Sequence, residues 1–212
     1  MKKIILSLAI VATVFASCNG VKKEKAAIKE AVVVAEVATD LNNLDTSASV
    51  LNWKGSKPTG SHNGNVALKS GGLLVEEGTL TQGVFVVDMN AITNLDMEGL
   101  KGATKIEGHL KSSDFFDVAA YPTAKFVITS VVTTEGKLAV TGNLTIKKTT
   151  KSITIPATIS TVEGITTFTS ETFTVDRTDF GVVYASKKLD AALKDKFIND
   201  LMEMSFKVVT KA

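Results

Sequence analysis

His62 and His109 are the only histidines in this 212-residue chain, and acid-base or metal chemistry would start from them. His109 is followed by Asp114 and Asp117 in "HLKSSDFFDVAAYP", a pattern in which a carboxylate orients an imidazole for proton transfer or for binding Zn(II) or Fe(II). His62 sits in "SHNG". The two lie in different elements, and the one cysteine, Cys18, is near the N-terminus, so a ligand set would be short unless several carboxylates completed it. A hydrogen-bonded histidine anchoring a turn is the plainer reading for each. Asp176 and Arg177 are neighbours in "DRTDFGVVY". On a strand they point to opposite faces, so Arg177 has two readings open: a fork for the polar head of a ligand, or a structural clamp.

The elements that would position these groups are mostly strands. In "KLAVTGNLTIK", Leu138, Val140, Leu144 and Ile146 alternate with Ala139, Thr141, Asn143 and Thr145, the period of a half-buried strand. "KSITIPATIS" repeats it with Ile153, Ile155, Ala157 and Ile159, and Pro156 on the other face predicts an edge strand or a bulge. Further strands are expected over 50–55, 62–69, 72–75, 79–89, 123–133, 164–176 and 197–209, which makes an all-β domain of roughly eight strands. One short helix is expected over 96–111, from the spacing of Leu100, Ile106 and Leu110, and a helical turn over 188–196. In 108–126, Ser112, Ser113 and Asp114 are expected to satisfy backbone amides where the helix ends, with a phenylalanine turned inward and Tyr121-Pro122 opening the next strand. Eight such strands form a sandwich or a closed barrel, and an eight-stranded barrel is either filled by its side chains or admits one small ligand. The pattern alone leaves these open.

Composition narrows the partners. A formal charge of +2 with scattered lysines gives no field for nucleic acid. "MKKIILSLAIVATVFASC" carries two lysines, an apolar run too short to span a bilayer, and small residues before Cys18, the pattern of a secretory signal. "FASC" resembles a bacterial lipobox, although Phe15 stands where leucine is commoner. On that reading residues 1–18 are a signal peptide with Cys18 as lipid anchor, and the protein is expected to be periplasmic or on the outer membrane. With a single cysteine, an internal disulfide is excluded. Residues 19–48, rich in Lys, Glu and Ala, read as a tether with helix plausible over 22–38, and the folded domain is expected over 49–212.

Several stretches occur in the order seen in one known family: "WKGSKPTGSHNGNVALKSG", "GVFVVDMNAI", "HLKSSDFFDVAAYPTAKF", "VTGNLTIKKTTKSITIPA" and "DRTDFGVVYAS". From Trp53 to Val208 the chain resembles the YceI-like family of exported lipid-binding proteins, in the lipoprotein form common in Bacteroidetes. The resemblance implies a lipocalin-like eight-stranded antiparallel barrel with one short helix near one end, holding a long isoprenoid (quinone-like) or fatty-acyl lipid in an apolar tunnel, with no cofactor. Lys148 replaces a glycine usual in the family and must avoid positive φ.

Expected tunnel residues are Phe85, Phe115, Phe116, Phe126, Leu144, Ile146, Ile155, Met202, Met204 and Phe206, with Arg177 at the polar head. Ordinary core packing is the competing reading for all of them. Two other functions remain open: an enzyme acting on a lipid or a small oxidised substrate through His62 or His109, and a structural envelope or stress protein whose barrel is filled. A homodimer through an edge strand or the helix is also open.

Overall fold

The computed structural model describes residues 26, 28–32 and 41–211. The expected signal peptide with Cys18 and most of the expected tether lie outside the described residues. The strands are β1 (Ile28–Glu30), β2 (Val50–Lys57), β3 (Gly60–Glu76), β4 (Thr79–Asn94), β5 (Thr123–Thr134), β6 (Lys137–Ile146), β7 (Thr149–Val162), β8 (Ile165–Ser170), β9 (Phe173–Asp176) and β10 (Leu201–Val209), with one helix, α1 (Lys101–Lys111), between β4 and β5. Hydrogen bonding runs β7-β6-β5-β4-β3-β2-β10-β8 and returns to β7, so eight antiparallel strands close into a barrel.

Local chemistry explains the hairpins. Three turns at one end are Glu-Gly pairs, 77–78, 135–136 and 163–164, with positive φ at both residues, the backbone that matches the twist of a two-residue hairpin loop. At the other end the β6–β7 turn puts positive φ on Lys147, so Lys148 escapes it as expected.

The structure corrects some expectations. Residues 62–69 and 72–75 are one long strand, because "SGG" bends the chain without ending it: Gly71 takes φ 131°, and a Cβ there would collide with the Val84 carbonyl. The expected strand 164–176 breaks at Glu171–Thr172 into β8 and β9. That break explains Pro156, which lies on neither an edge nor a bulge of the β6–β7 ladder. Its carbonyl accepts the Glu171 N–H, so the donor it lacks would have pointed into the same break, where no strand partner waits.

Helix α1 starts at Lys101, so 96–100 form turns instead of helix, and the expected turn over 188–196 is a 3-10 segment, Ala191–Lys196.

Residues 28–30, expected to be helical, form β1 along β7, with Ile28 opposite Ile153. Below the break, β7 has a free flank that a strand satisfies, and a lone helix there would bury less. Ala26 donates to the Thr174 carbonyl of β9, and the Asn143 side chain bonds both the N–H and C=O of Val32 (3.0 and 2.7 Å). At the Glu-Gly end, Asn43 caps the barrel by bonding both backbone groups of Leu73, and Leu44 bridges to Thr210.

The interior is filled toward the Glu-Gly end. Phe85 lies 5.4–6.0 Å from the rings of Phe126, Phe168 and Phe206, and Phe173 stacks on Phe206. Toward the α1 end the side chains stop meeting.

Candidate functional site

A cavity of ≈ 260 Å³ occupies the α1 half of the barrel. One water needs roughly 10–15 Å³ by a comparable measure, so the space holds far more than solvent trapped between side chains. Its floor is Phe126, Met204 and Phe206; its walls come from inward residues of β2 to β6, among them Leu51, Val87, Met89, Leu144 and Ile146. Ile106 and Leu110, four apart on α1, cover part of the mouth together with Phe115 and Phe116. The lining is overwhelmingly apolar, the character of sites that hold a ligand by burial.

Of the residues expected to line a tunnel, Phe115, Phe116, Phe126, Leu144, Ile146, Met202, Met204 and Phe206 border this cavity. Phe85 and Ile155 do not: both are fully buried in the filled half. Unforeseen wall residues include Val87, Met89, Leu110, Ala124 and Trp53. A two-residue period places Val87 and Met89 on the face of Phe85, so a signal for them was available; Trp53, half-buried with its indole N–H on the Thr93 carbonyl (3.1 Å), carried none.

Phe115 is held inward by a tight succession of backbone bonds. Helix α1 ends as the Ser112 hydroxyl donates to the His109 carbonyl, while the Ser112 carbonyl accepts from Phe115 and Asp117. Ser112 thus serves a carbonyl, not the amides expected of it. Asp117 takes φ 49°, which turns the chain toward Tyr121-Pro122.

Both histidines border the cavity, and each faces a carboxylate. His62 Nδ1 lies 2.9 Å from Asp96. Burial works against ionising Asp96, but the Asn63 N–H, His62 and the Asn94 amide bring its pKa down to about 2. The buried Asn94 also donates its N–H to Glu107 of α1 and accepts from Met97, so this group fastens helix to barrel. His109 Nε2 is 3.5 Å from Asp114, both well exposed, and its ring packs edge-on to Phe115 and Tyr184. Among the described residues, no three His, Cys, Asp or Glu side chains group to hold a metal ion.

Arg177 borders the cavity but is committed elsewhere. It is 1% exposed and donates to the carbonyls of Val182, Ile198 and Asn199 and to Asp200 (2.7–3.2 Å), with its guanidinium over the Phe115 ring. Burial draws its pKa down and Asp200 and Asp176 oppose this. The geometry is that of a clamp folding residues 177–200 against the mouth. Asp176 caps the following 3-10 segment: burial works against its charge, yet Thr178 and Lys188 hold it below the ordinary carboxylate range.

The comparisons agree with this architecture. Similar solved structures include BcnA of Burkholderia cenocepacia (TM-score 0.63, 20% identity, 79% of this chain and 99% of that one) and a polyisoprenoid binding domain from Saccharophagus degradans implicated in plant cell wall breakdown (TM-score 0.60, 17%, 80% and 97%). At such identities the likeness is one of fold. A UPF0312 protein of Pseudomonas putida is 44% identical over 81 residues, 35% of this chain and 42% of that one, and one of Shewanella denitrificans is 36% identical over 99 residues, 41% and 51%. These alignments span about half the relatives' length or less. The sequence profile of the YceI-like domain, however, matches residues 42–210, the closed barrel with its helix and cavity, and the chain therefore belongs to the YceI-like family.

Proposed function

We propose that this protein takes up one lipid by its hydrocarbon chain, a long isoprenoid (quinone-like) or a fatty-acyl molecule, and carries it shielded from water. As a YceI-like protein it is a binding protein, not an enzyme. One observation carries the ligand class: the barrel is filled at one end and leaves a ≈ 260 Å³ apolar cavity under α1 at the other. A chain burying about ten methylenes there gains roughly 8 kcal/mol before the cost of association. The Saccharophagus degradans domain, described as polyisoprenoid binding, shares this fold and favours the same ligand class. Binding by burial needs no cofactor.

The sequence before the barrel supports export, with Cys18 as lipid anchor and a periplasmic or outer-membrane location. Organic extraction and mass spectrometry of the purified protein are expected to release a lipid, and the emptied protein to take up an isoprenoid quinone or a fatty amide. Absence of both would end this reading. Labelled palmitate is expected on the wild-type chain and not on Cys18→Ala; equal labelling would remove the anchor.

A further inference from the structure

Few polar side chains border the cavity, and one of them is aimed. His62, Gly64 and Val66 share the inner face of β3, with His62 nearest the rim at the β2–β3 hairpin. Its Nδ1 lies 2.9 Å from Asp96 Oδ2, while Asp96 Oδ1 accepts from the Asn63 N–H (2.8 Å) and the Asn94 amide (2.7 Å). Asp96 is ionised above about pH 2 and can only accept, so Nδ1 carries the proton. In the neutral imidazole this leaves Nε2 with its lone pair, and among the described residues nothing donates to it.

Room for the head of a ligand lies beside that ring. Directly opposite His62 on β2 is Gly55, where an added Cβ would meet nothing within 4 Å. Trp53 and Leu51 follow below it on the same face, and Leu51 pairs with Phe206 of the floor. Leu51 and Gly55 are separated by roughly 13 Å of strand, so a chain seated on the floor has its head at the level of His62.

The other polar side chains at the cavity are engaged or turned away. Arg177 is committed to its carbonyls and Asp200, and the Asn199 amide donates to the Ser56 hydroxyl. Lys54 belongs to the outer face of β2, opposite Glu203. His109 has Nε2 toward Asp114 and its ring edge-on to Phe115 and Tyr184. Lys57, exposed at the hairpin, is the cation that an anionic head would use. Such a head would also face the Nε2 lone pair with the Asp96 charge behind it, whereas a neutral O–H or N–H donor satisfies that lone pair.

We propose that His62 Nε2 accepts a hydrogen bond from the head of the bound lipid, in the space left by Gly55, and that this head is a neutral donor: a hydroxyl, as in an alcohol or a quinol, or an amide N–H. The proposal rests on the lipid-binding reading and narrows it, because a quinone or an ester offers only acceptors.

The test uses the full-length chain, emptied of lipid, with dodecanol, dodecanamide, methyl dodecanoate and dodecanoate at pH 8, singly and in competition, read by native mass spectrometry. The four share one hydrocarbon chain and differ in the head. Dodecanol and dodecanamide are expected to bind roughly fivefold tighter than methyl dodecanoate, the worth of one neutral hydrogen bond, and dodecanoate no tighter than the ester. His62→Phe is expected to erase this preference and still hold methyl dodecanoate, a readout that a merely structural role would not move. Gly55→Val fills the space and is expected to weaken dodecanol and dodecanamide by roughly fivefold or more. Gly55 does not take positive φ, so valine fits its backbone, and this variant keeps the His62–Asp96 pair and carries the test if melting curves show His62→Phe unfolded. Equal affinity for the four heads, a preference that survives His62→Phe, or indifference to Gly55→Val would each overturn the proposal and leave lipid binding standing. Tighter binding of dodecanoate, abolished by Lys57→Gln, would overturn it by assigning the head to the lysine. Failure of all four to bind would refute the lipid-binding reading and the proposal with it.

Discussion

Phe126→Ala tests where the cavity ends. Phe126 is fully buried and touches two regions at once: its ring is 6.0 Å from Phe85 and 5.9 Å from Phe206 in the filled half, and it forms part of the cavity floor. Truncating a buried phenylalanine costs about 3–5 kcal/mol, of which the transfer of the side chain accounts for roughly 2–3 kcal/mol. The remaining 1–2 kcal/mol, at about 24 cal/mol per Å³, corresponds to roughly 40–80 Å³ of new void. Added to ≈ 260 Å³, that is room for about two further methylenes, each near the volume of a water molecule. Two methylenes contribute about 1.6 kcal/mol, so the preferred chain should lengthen by about two carbons, with a preference near tenfold. Competition among fatty-acyl probes of graded length, read by native mass spectrometry, measures the shift, and denaturant unfolding measures the stability. A protein destabilised as expected but with an unchanged preferred length would refute the reasoning, because the aromatic floor would then not measure the ligand.

Three other predictions rest on separate parts of the molecule. Arg177→Met is expected to cost about 3–5 kcal/mol in chemical denaturation, since it leaves Asp200 and three carbonyls without their shared donor, and Arg177→Lys to recover only part, because an ammonium lacks the planar fork. Asp96, ionised down to about pH 2, stabilises the fold above the ordinary carboxylate pKa of 3.8, and this contribution is lost as pH falls through about 4 to 2; Asp96→Asn should remove that part of the acid transition and lower neutral-pH stability by about 1–2 kcal/mol, allowing for partial exposure, which melting between pH 2 and 7 will check. Asn143→Ala, which frees Val32, is expected to raise amide hydrogen exchange in β1 and at Lys151–Ile153 of β7 while leaving β5 protected; uniform exchange across the barrel would contradict the view that β1 is held locally.

Much of this architecture is legible in the residues. Leu138, Val140, Leu144 and Ile146 announce β6 by period alone, and the Glu-Gly pairs mark three hairpins, because both signals are local: a pleated strand alternates its faces, and a two-residue turn needs positive φ. Long-range partners explain where the reading departs. Ile28–Glu30 looked helical because the flank of β7 that it completes lies more than a hundred residues away, and Pro156 looked like an edge because the break between β8 and β9 that excuses its missing N–H is not visible nearby.

The site divides along the same line. Sequence by itself determined which side chains face inward, so Phe85, Phe126, Leu144, Ile155 and Phe206 are all interior. Only the tertiary structure decided that Phe85 and Ile155 fill one end while Phe126, Leu144 and Phe206 border a void, and that Arg177 gives its donors to the chain around it. Facing inward is a property of one strand's pleat. Whether opposite walls meet depends on barrel width and on which side chains from distant strands reach the same level of the axis, which no single stretch of sequence contains.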